Sequence, residues 1–244
     1  MSRVPPNGAT VSEAPELLQI RQWALPWLIH GFGTRQSEKW THRAGRTWVH
    51  QIHSGTVHRA TEAGYVADGD ALISDVPGLL LEIRTADCLP VLLVDPVRRM
   101  VAAAHAGWRG TVAGIAARTA TQMVTEFGCR WDDLQAAFGP SIGPCCFEVG
   151  PEVAAQFDES CVVRPVEAGE ASSPESTNST HRRVKVDLHR ANLTQLVDAG
   201  LSPGAIFQVA SCTMCHPGQF HSFRRDREQS GRLVSGIGIL DPAA

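Results

Sequence analysis

Three short apolar runs stand close together in the middle of the chain: Leu79–Ile83, Val91–Val94 and Val101–Ala104. Each is bounded by turn residues and is apolar on nearly every position, which predicts strands covered on both faces. Leu134–Phe138, Ile206–Ala210 and Leu233–Leu240 predict further strands. Between them the period lengthens. Thr111 to Phe127 carries a helical repeat and runs into Gly128, a residue suited to closing a helix in the left-handed conformation. Pro151 to Phe157 predicts a short helix with proline at its first position. Asp187 is placed to cap a helix running to Ala199 and closed by Gly200. The alternation predicts an α/β (α+β) fold, a single domain in which helices cover a mixed sheet. Residues 1–13 read as a flexible tail, 14–244 as the domain, and the Ser-, Thr- and Glu-rich stretch near 168–183 as a mobile surface loop. No internal repeat is evident.

Composition narrows the function classes. Of 244 residues, 43% are hydrophobic and 19% charged, which is ordinary for a globular enzyme and ample for a core. A net charge of −3 lacks the basic field of a general nucleic-acid binder. No run of eighteen apolar residues is present, so no membrane-spanning helix is expected. Seven cysteines, an odd number, follow an amino end without the pattern of an export signal. Together these predict a reducing cytoplasm, with thiols acting as core residues, ligands or nucleophiles rather than a disulfide framework.

Candidate chemistry concentrates between Thr85 and Gly110. Thr85-Ala86-Asp87-Cys88 leaves one predicted strand and enters the next, and His105-Ala106-Gly107-Trp108-Arg109-Gly110 leaves a third and opens a helix. Gln51-Ile52-His53-Ser54-Gly55 places another imidazole in a strand-like stretch. His53, Cys88 and His105 make a three-ligand set suited to Zn²⁺ with an open fourth position. The spacing is weakly specific, and two other readings stand beside it. Cys88 and His105 are either plain core residues or a Cys–His nucleophile and base. The Gly107–Gly110 turn, with Arg109, is either an anion site at a helix start or only a tight turn. Gly139 to Glu148 is a rigid loop, either a pocket wall or only a complicated turn, in which the adjacent Cys145 and Cys146 are expected to point apart. Cys212-Thr213-Met214-Cys215-His216 matches a haem-attachment pattern only superficially. In Phe220 to Asp226, arginines stand ready for phosphate, a carboxylate or a surface ion pair.

These motifs together resemble the laccase-domain family, once described as multicopper polyphenol oxidases and now understood as zinc-dependent purine nucleoside phosphorylases. The matching pieces are Gly31 to Arg35, Gln51 to His53, Ala67 to Leu72, Thr85 to Pro90, His105 to Gly110, Gly139 to Val149, Asp187-Leu188, Cys212-Thr213 and Phe220 to Asp226, in order along the chain. The resemblance implies a layered α/β fold similar to the cytotoxic necrotizing factor catalytic domain. It implies His53, Cys88 and His105 as ligands of Zn²⁺, with copper able to occupy the same place. It also implies phosphorolysis of adenosine, inosine, guanosine and methylthioadenosine, with adenosine deamination beside it. A true multicopper mechanism does not fit, because the chain has no H-x-H and only ten histidines. The cytidine-deaminase zinc pattern is absent as well.

Two departures stand out: the stretch Gln36–His50 is shorter than the family's, and Phe223 stands where many members carry Tyr. On this reading Arg35, Arg109 and Arg224 hold phosphate, and Asp87, Cys88 and Arg35 are the expected catalytic residues, with Asp87 the acid or base. The expected partners are nucleosides and phosphate, with a homodimer left open. The rivals are a metal-independent Cys–His hydrolase and a zinc- or purine-binding protein whose pocket the short segment has compromised.

Overall fold

The computed structural model describes residues 11–14, 17–37, 40–43, 45–163 and 184–241. Among the described residues, sixteen strands and five α-helices follow one another. They begin with β1 (Val11–Ala14), β2 (Leu17–Ile20), β3 (Leu28–Gly33), β4 (Arg46–His50), β5 (Val57–Arg59), β6 (Gly64–Asp68) and β7 (Ala71–Ser74). The centre is β8 (Leu80–Thr85), β9 (Leu89–Asp95), β10 (Met100–Ala106), α1 (Trp108–Val112), α2 (Ile115–Phe127) and β11 (Gln135–Phe138). Then come β12 (Glu148–Val149), α3 (Pro151–Ala154), β13 (Val162–Val163), β14 (Val184–Val186), α4 (Leu188–Ala199), β15 (Ile206–Gln208), α5 (Phe223–Asp226) and β16 (Leu233–Ile239).

The strands form a seven-stranded sheet ordered β1-β2-β3-β16-β8-β4-β6 and a six-stranded sheet ordered β15-β11-β9-β10-β7-β5. A small third sheet is ordered β12-β14-β13. Both large sheets mix parallel and antiparallel pairs. The apolar runs seen in the sequence are continuous because the six-stranded sheet is covered twice. On β9, Leu92 and Val94 join a core shared with Phe32, Leu81 and Ile83 of the seven-stranded sheet. Their neighbours Leu89, Val91 and Leu93 pack instead against Ile115, Ala116, Ala120 and Met123 of α2 and Leu196 of α4. Period 2 along a strand thus builds two cores, and the layers run sheet, sheet, helices.

The expected helix from Thr111 to Phe127 is two helices. Gly114 adopts φ +74°, a left-handed conformation that ends one axis and starts the next. The remaining helix signals hold: Asp187 Oδ1 accepts from Arg190 N at 3.0 Å, Pro151 stands at the first position of α3, and Gly128 and Gly200 close α2 and α4. The strand expected over Gln51–Gly55 is a loop instead. The tail expectation for 1–13 falls mostly outside the described residues, although Val11–Ala14 pairs with β2. The loop near 168–183 lies outside them altogether. Among the described residues, no helix is long and apolar enough to cross a membrane.

Candidate active site and metal centre

Three loops leaving strand ends converge at one edge of the stacked sheets. After β4 the backbone ladder stops, and the Gln51 side chain takes over. Its Nε2 donates to Arg84 O and its Oε1 accepts from Arg84 N, both at 2.8 Å. This fastens the loop that carries His53 to β8. His105 lies near the end of β10, and Cys88 directly precedes β9. One ligand atom from each of His53, Cys88 and His105 lies within 4.8 Å of the others. Gly107 leaves the room they occupy, since a Cβ there would stand 2.9 Å from Cys88 Sγ and 3.2 Å from His53 Cδ2.

Asp70 organises this trio. It is fully buried, and its carboxylate accepts from His105 Nδ1 at 2.8 Å, His53 N at 3.0 Å, Ser54 N at 2.5 Å and Ser54 Oγ at 2.7 Å. Holding a proton on Nδ1 directs Nε2 of His105 toward Cys88 and any bound metal, the usual work of a carboxylate behind a ligating histidine. Burial works against the charged His105, but Asp70 and the Cys88 thiol outweigh it and raise its pKa to about 9. Burial likewise opposes the Cys88 thiolate, yet hydrogen bonds from His105 and His53 bring the thiol down to about 6. Burial would lift Asp70, and its hydrogen bonds from His105 and Ser54 hold it below the ordinary carboxylate value. The result is a thiolate beside a protonated His105, whose Nε2 gives up its proton when it takes a metal ion. His53 (φ +60°) and Asp87 (φ +83°) both hold left-handed backbone, a strain of order 1 kcal/mol or more for residues with a side chain.

A cleft of about 720 Å³ opens from this trio. Its walls carry Arg46, Trp48, Glu82, Arg84, Phe223 and Arg232. Glu82 is 1% exposed and grips both Arg46 Nε at 2.6 Å and Arg84 Nε at 2.7 Å. The Arg46 guanidinium also covers the Trp48 ring, 4.7 Å from its centroid.

The arginines expected from the sequence lie elsewhere. Arg35 packs against the loop at 217–226, with Nη1 on Pro217 O at 3.0 Å. Arg109 stacks on Trp108 at 4.3 Å. Arg224 donates to Glu148 O at 2.9 Å and lines a neighbouring, smaller cavity. Asp87 is brought beside Cys88, but its carboxylate accepts from Thr213 Oγ1 at 2.6 Å, Ser222 Oγ at 3.1 Å and Arg224 N at 2.6 Å. It ties the late loops to the site. The sequence reading assigned no role to Glu82, Arg46, Arg84 or Arg232, and singled out Asp70 only within the motif from Ala67 to Leu72. Glu82 did leave a signal, a lone carboxylate inside the apolar run Leu79–Ile83, which has to find a cation.

The family model described as multi-copper polyphenol oxidoreductase laccase matches residues 34–240. The chain belongs to that family. A purine nucleoside phosphorylase of Deinococcus radiodurans is 41% identical over 191 residues, 78% of this chain and 69% of its own. The adenosine deaminase RL5 of an unknown prokaryotic organism is 38% identical over 174 residues, 69% of this chain and 61% of its own. Among solved structures, YlmD from Geobacillus stearothermophilus superposes with a TM-score of 0.79 at 27% identity, covering 94% of this chain and 98% of that one. These relatives support a nucleoside-processing enzyme at the general level. Layered mixed sheets with flanking helices are as expected, while likeness to the cytotoxic necrotizing factor domain stays an expectation. The family's copper name sits poorly with the side chains. Among the described residues, only two groups of three or more metal-binding side chains surround a common point, and only one of them contains histidine. Type 1 and trinuclear copper sites need more imidazoles than that.

Proposed function

We propose that the protein is a zinc-dependent purine nucleoside phosphorylase acting on adenosine, inosine, guanosine and methylthioadenosine, with adenosine deamination as a second activity. The observation that carries this reading is the cleft itself, which joins an imidazole–thiolate trio to three arginines and two aromatic rings. The donor set suits zinc: two imidazoles, a thiolate, a carboxylate orienting one imidazole, and a glycine that leaves space among them. His53, Cys88 and His105 would hold the ion, and when bound it supplies Lewis-acid polarisation inside the cleft.

The chain's own residues do the rest. Arg46, Arg84 and Arg232 take the role first expected of Arg35, Arg109 and Arg224, gathering phosphate for attack on the ribose C1′. Glu82 grips two of them at Nε, which fixes their direction and leaves their Nη donors for an oxyanion. Trp48 and Phe223 offer flat apolar faces to a purine, and base stacking on such rings contributes about 1–3 kcal/mol. The departing purine needs a proton as the sugar gains cationic character. Asp87, whose oxygens already serve three donors, is a positioning residue in this scheme. His50 lines the cleft with Nδ1 3.1 Å from Asp68 Oδ1, and we assign the proton transfer to it.

A Cys–His hydrolase is the second reading, favoured by one observation: Cys88, His105 and Asp70 form a hydrogen-bonded chain with a thiolate at its head. Incubation with adenosine or inosine, with and without phosphate and chelator, separates the two. Phosphate-dependent release of free base and ribose 1-phosphate that stops on chelation supports the phosphorylase. Turnover that survives chelation but ends on alkylation of Cys88 overturns it.

A further inference from the structure

Around Thr213, whose hydroxyl donates to Asp87, lies a second cluster, built only from cysteines. The segment 143–147 is a tight turn in which Cys146 N and Phe147 N both bond to Gly143 O at 2.9 Å. Adjacent side chains point apart on a strand, but on a turn they spread over one side. Cys145 and Cys146 therefore face the same way, contrary to expectation. A second turn carries Cys212 and Cys215 to meet them. The two turns are docked by Ser141 N to Ser211 O at 3.3 Å and Thr213 N to Ser141 O at 3.0 Å. The four sulfurs all lie within 4.8 Å of one another. Cys215 Sγ is 3.7 Å from Cys145 Sγ and 3.4 Å from Cys146 Sγ. A tetrahedral Zn(S-Cys)₄ unit with bonds of about 2.3 Å has sulfur–sulfur edges of roughly 3.8 Å.

We propose that Cys145, Cys146, Cys212 and Cys215 bind one structural zinc ion, distinct from the ion of the cleft. Four thiols bind Zn²⁺ and release four protons to solvent, leaving a dianionic unit, and its surroundings suit that charge. Gly143 N donates to Cys212 Sγ at 3.3 Å. Lys185 Nζ stands on Cys145 O at 2.8 Å, and Arg225 Nη1 on Thr213 O at 3.1 Å and Met214 O at 3.2 Å. A closed set of four protein ligands is the mark of a structural ion. The ion would lock together the two turns from which Thr213 reaches Asp87 and Glu148 holds Arg224, so it braces one wall of the catalytic edge.

Metal content decides this without reference to activity. Protein purified with reductant and dialysed against a small excess of zinc is expected to hold two ions per chain by elemental analysis. Cys212→Ser/Cys215→Ser and His53→Ala/His105→Ala are each expected to hold one. The second variant loaded with Co²⁺ is expected to show the thiolate-to-metal charge transfer of a four-sulfur site. Unchanged zinc content in Cys212→Ser/Cys215→Ser, or no cobalt–thiolate band in His53→Ala/His105→Ala, overturns the proposal. So does a disulfide from Cys215 to Cys145 or Cys146 in the freshly purified reduced protein. If either variant fails to fold, stepwise Co²⁺ loading of the wild type must show two spectrally distinct sites, and a single site overturns the proposal. A wild type that keeps only the ion of the tetrad would count against the cleft metal and leave the tetrad standing.

Discussion

Replacing Asp70 by Asn tests whether one buried carboxylate sets the trio. The side chain is fully buried and accepts four hydrogen bonds, two on each oxygen. An amide keeps the shape but has a single acceptor oxygen, so one oxygen's pair of donors must face an NH₂ group. If the amide nitrogen turns toward His105, Nδ1 has to accept, and the imidazole proton moves to Nε2, the atom that would bind metal. If it turns toward Ser54, the Ser54 N–H confronts another donor. Either arrangement leaves a buried backbone N–H opposed, at a cost of about 1–3 kcal/mol. At this chain length that lowers the melting temperature of the metal-free protein by roughly 2–12 °C. Loss of a carboxylate behind a ligating histidine weakens metal binding about 10–100-fold. Zinc affinity is read by competition with a chromophoric chelator at neutral pH, and melting by differential scanning fluorimetry. An affinity within about twofold of wild type, in a variant whose melting temperature has fallen as expected, would refute the claim that Asp70 orients His105.

Further outcomes follow from other contacts. Arg232→Met, which unpairs no buried carboxylate, is expected to raise KM for phosphate about tenfold or more, the scale of one charge-assisted hydrogen bond. Arg109→Met is expected to leave it unchanged, and steady-state kinetics showing the reverse would reject the cleft arginines. His30 is buried, its Nε2 accepts from Ile20 N at 2.9 Å, and burial lowers its pKa from 6.5 to about 4. The unfolded chain therefore takes up a proton that the fold refuses. Stability falls as pH drops from about 6.5 to 4 and levels off below, by at most about 3 kcal/mol, and His30→Gln should flatten that part of a denaturation-versus-pH curve. Gly139→Ala would put a Cβ where the Phe32 ring stands in the core and should cost at least about 1–3 kcal/mol in urea unfolding.

What could be read from the sequence and what could not divides along a physical line. Strands such as β9 and β10 announce themselves because both faces are buried, and helix ends because Asp187, Gly128 and Gly200 have local conformational work that few other residues do well. His53, Cys88 and His105 were legible because each residue type has a narrow chemistry and the motifs around them are ordered. The arginines were not. Thirty-eight positions separate Arg46 from Arg84 in numbering, yet parallel pairing of β4 with β8 sets Arg46 beside Leu80 and Trp48 beside Glu82. No local pattern encodes that register. Arg35, Arg109 and Arg224 stand in more conspicuous motifs, and their side chains rest against a loop carbonyl, the Trp108 ring and Glu148 O, outside the lining of the cleft. The cysteine tetrad failed for a related reason. Whether Cys145 and Cys146 diverge or converge depends on turn or strand geometry, and the decisive neighbours, Cys212 and Cys215, arrive through a single bridge between Ser141 and Cys212. The stretch before His50, expected from the resemblance to be shorter than the family's, sharpens the same point. It still delivers Arg46, Trp48 and His50 to the cleft, because β4 keeps its place between β8 and β6. The register that places these three side chains is set by pairing between distant strands, not by the length of the segment that leads into β4.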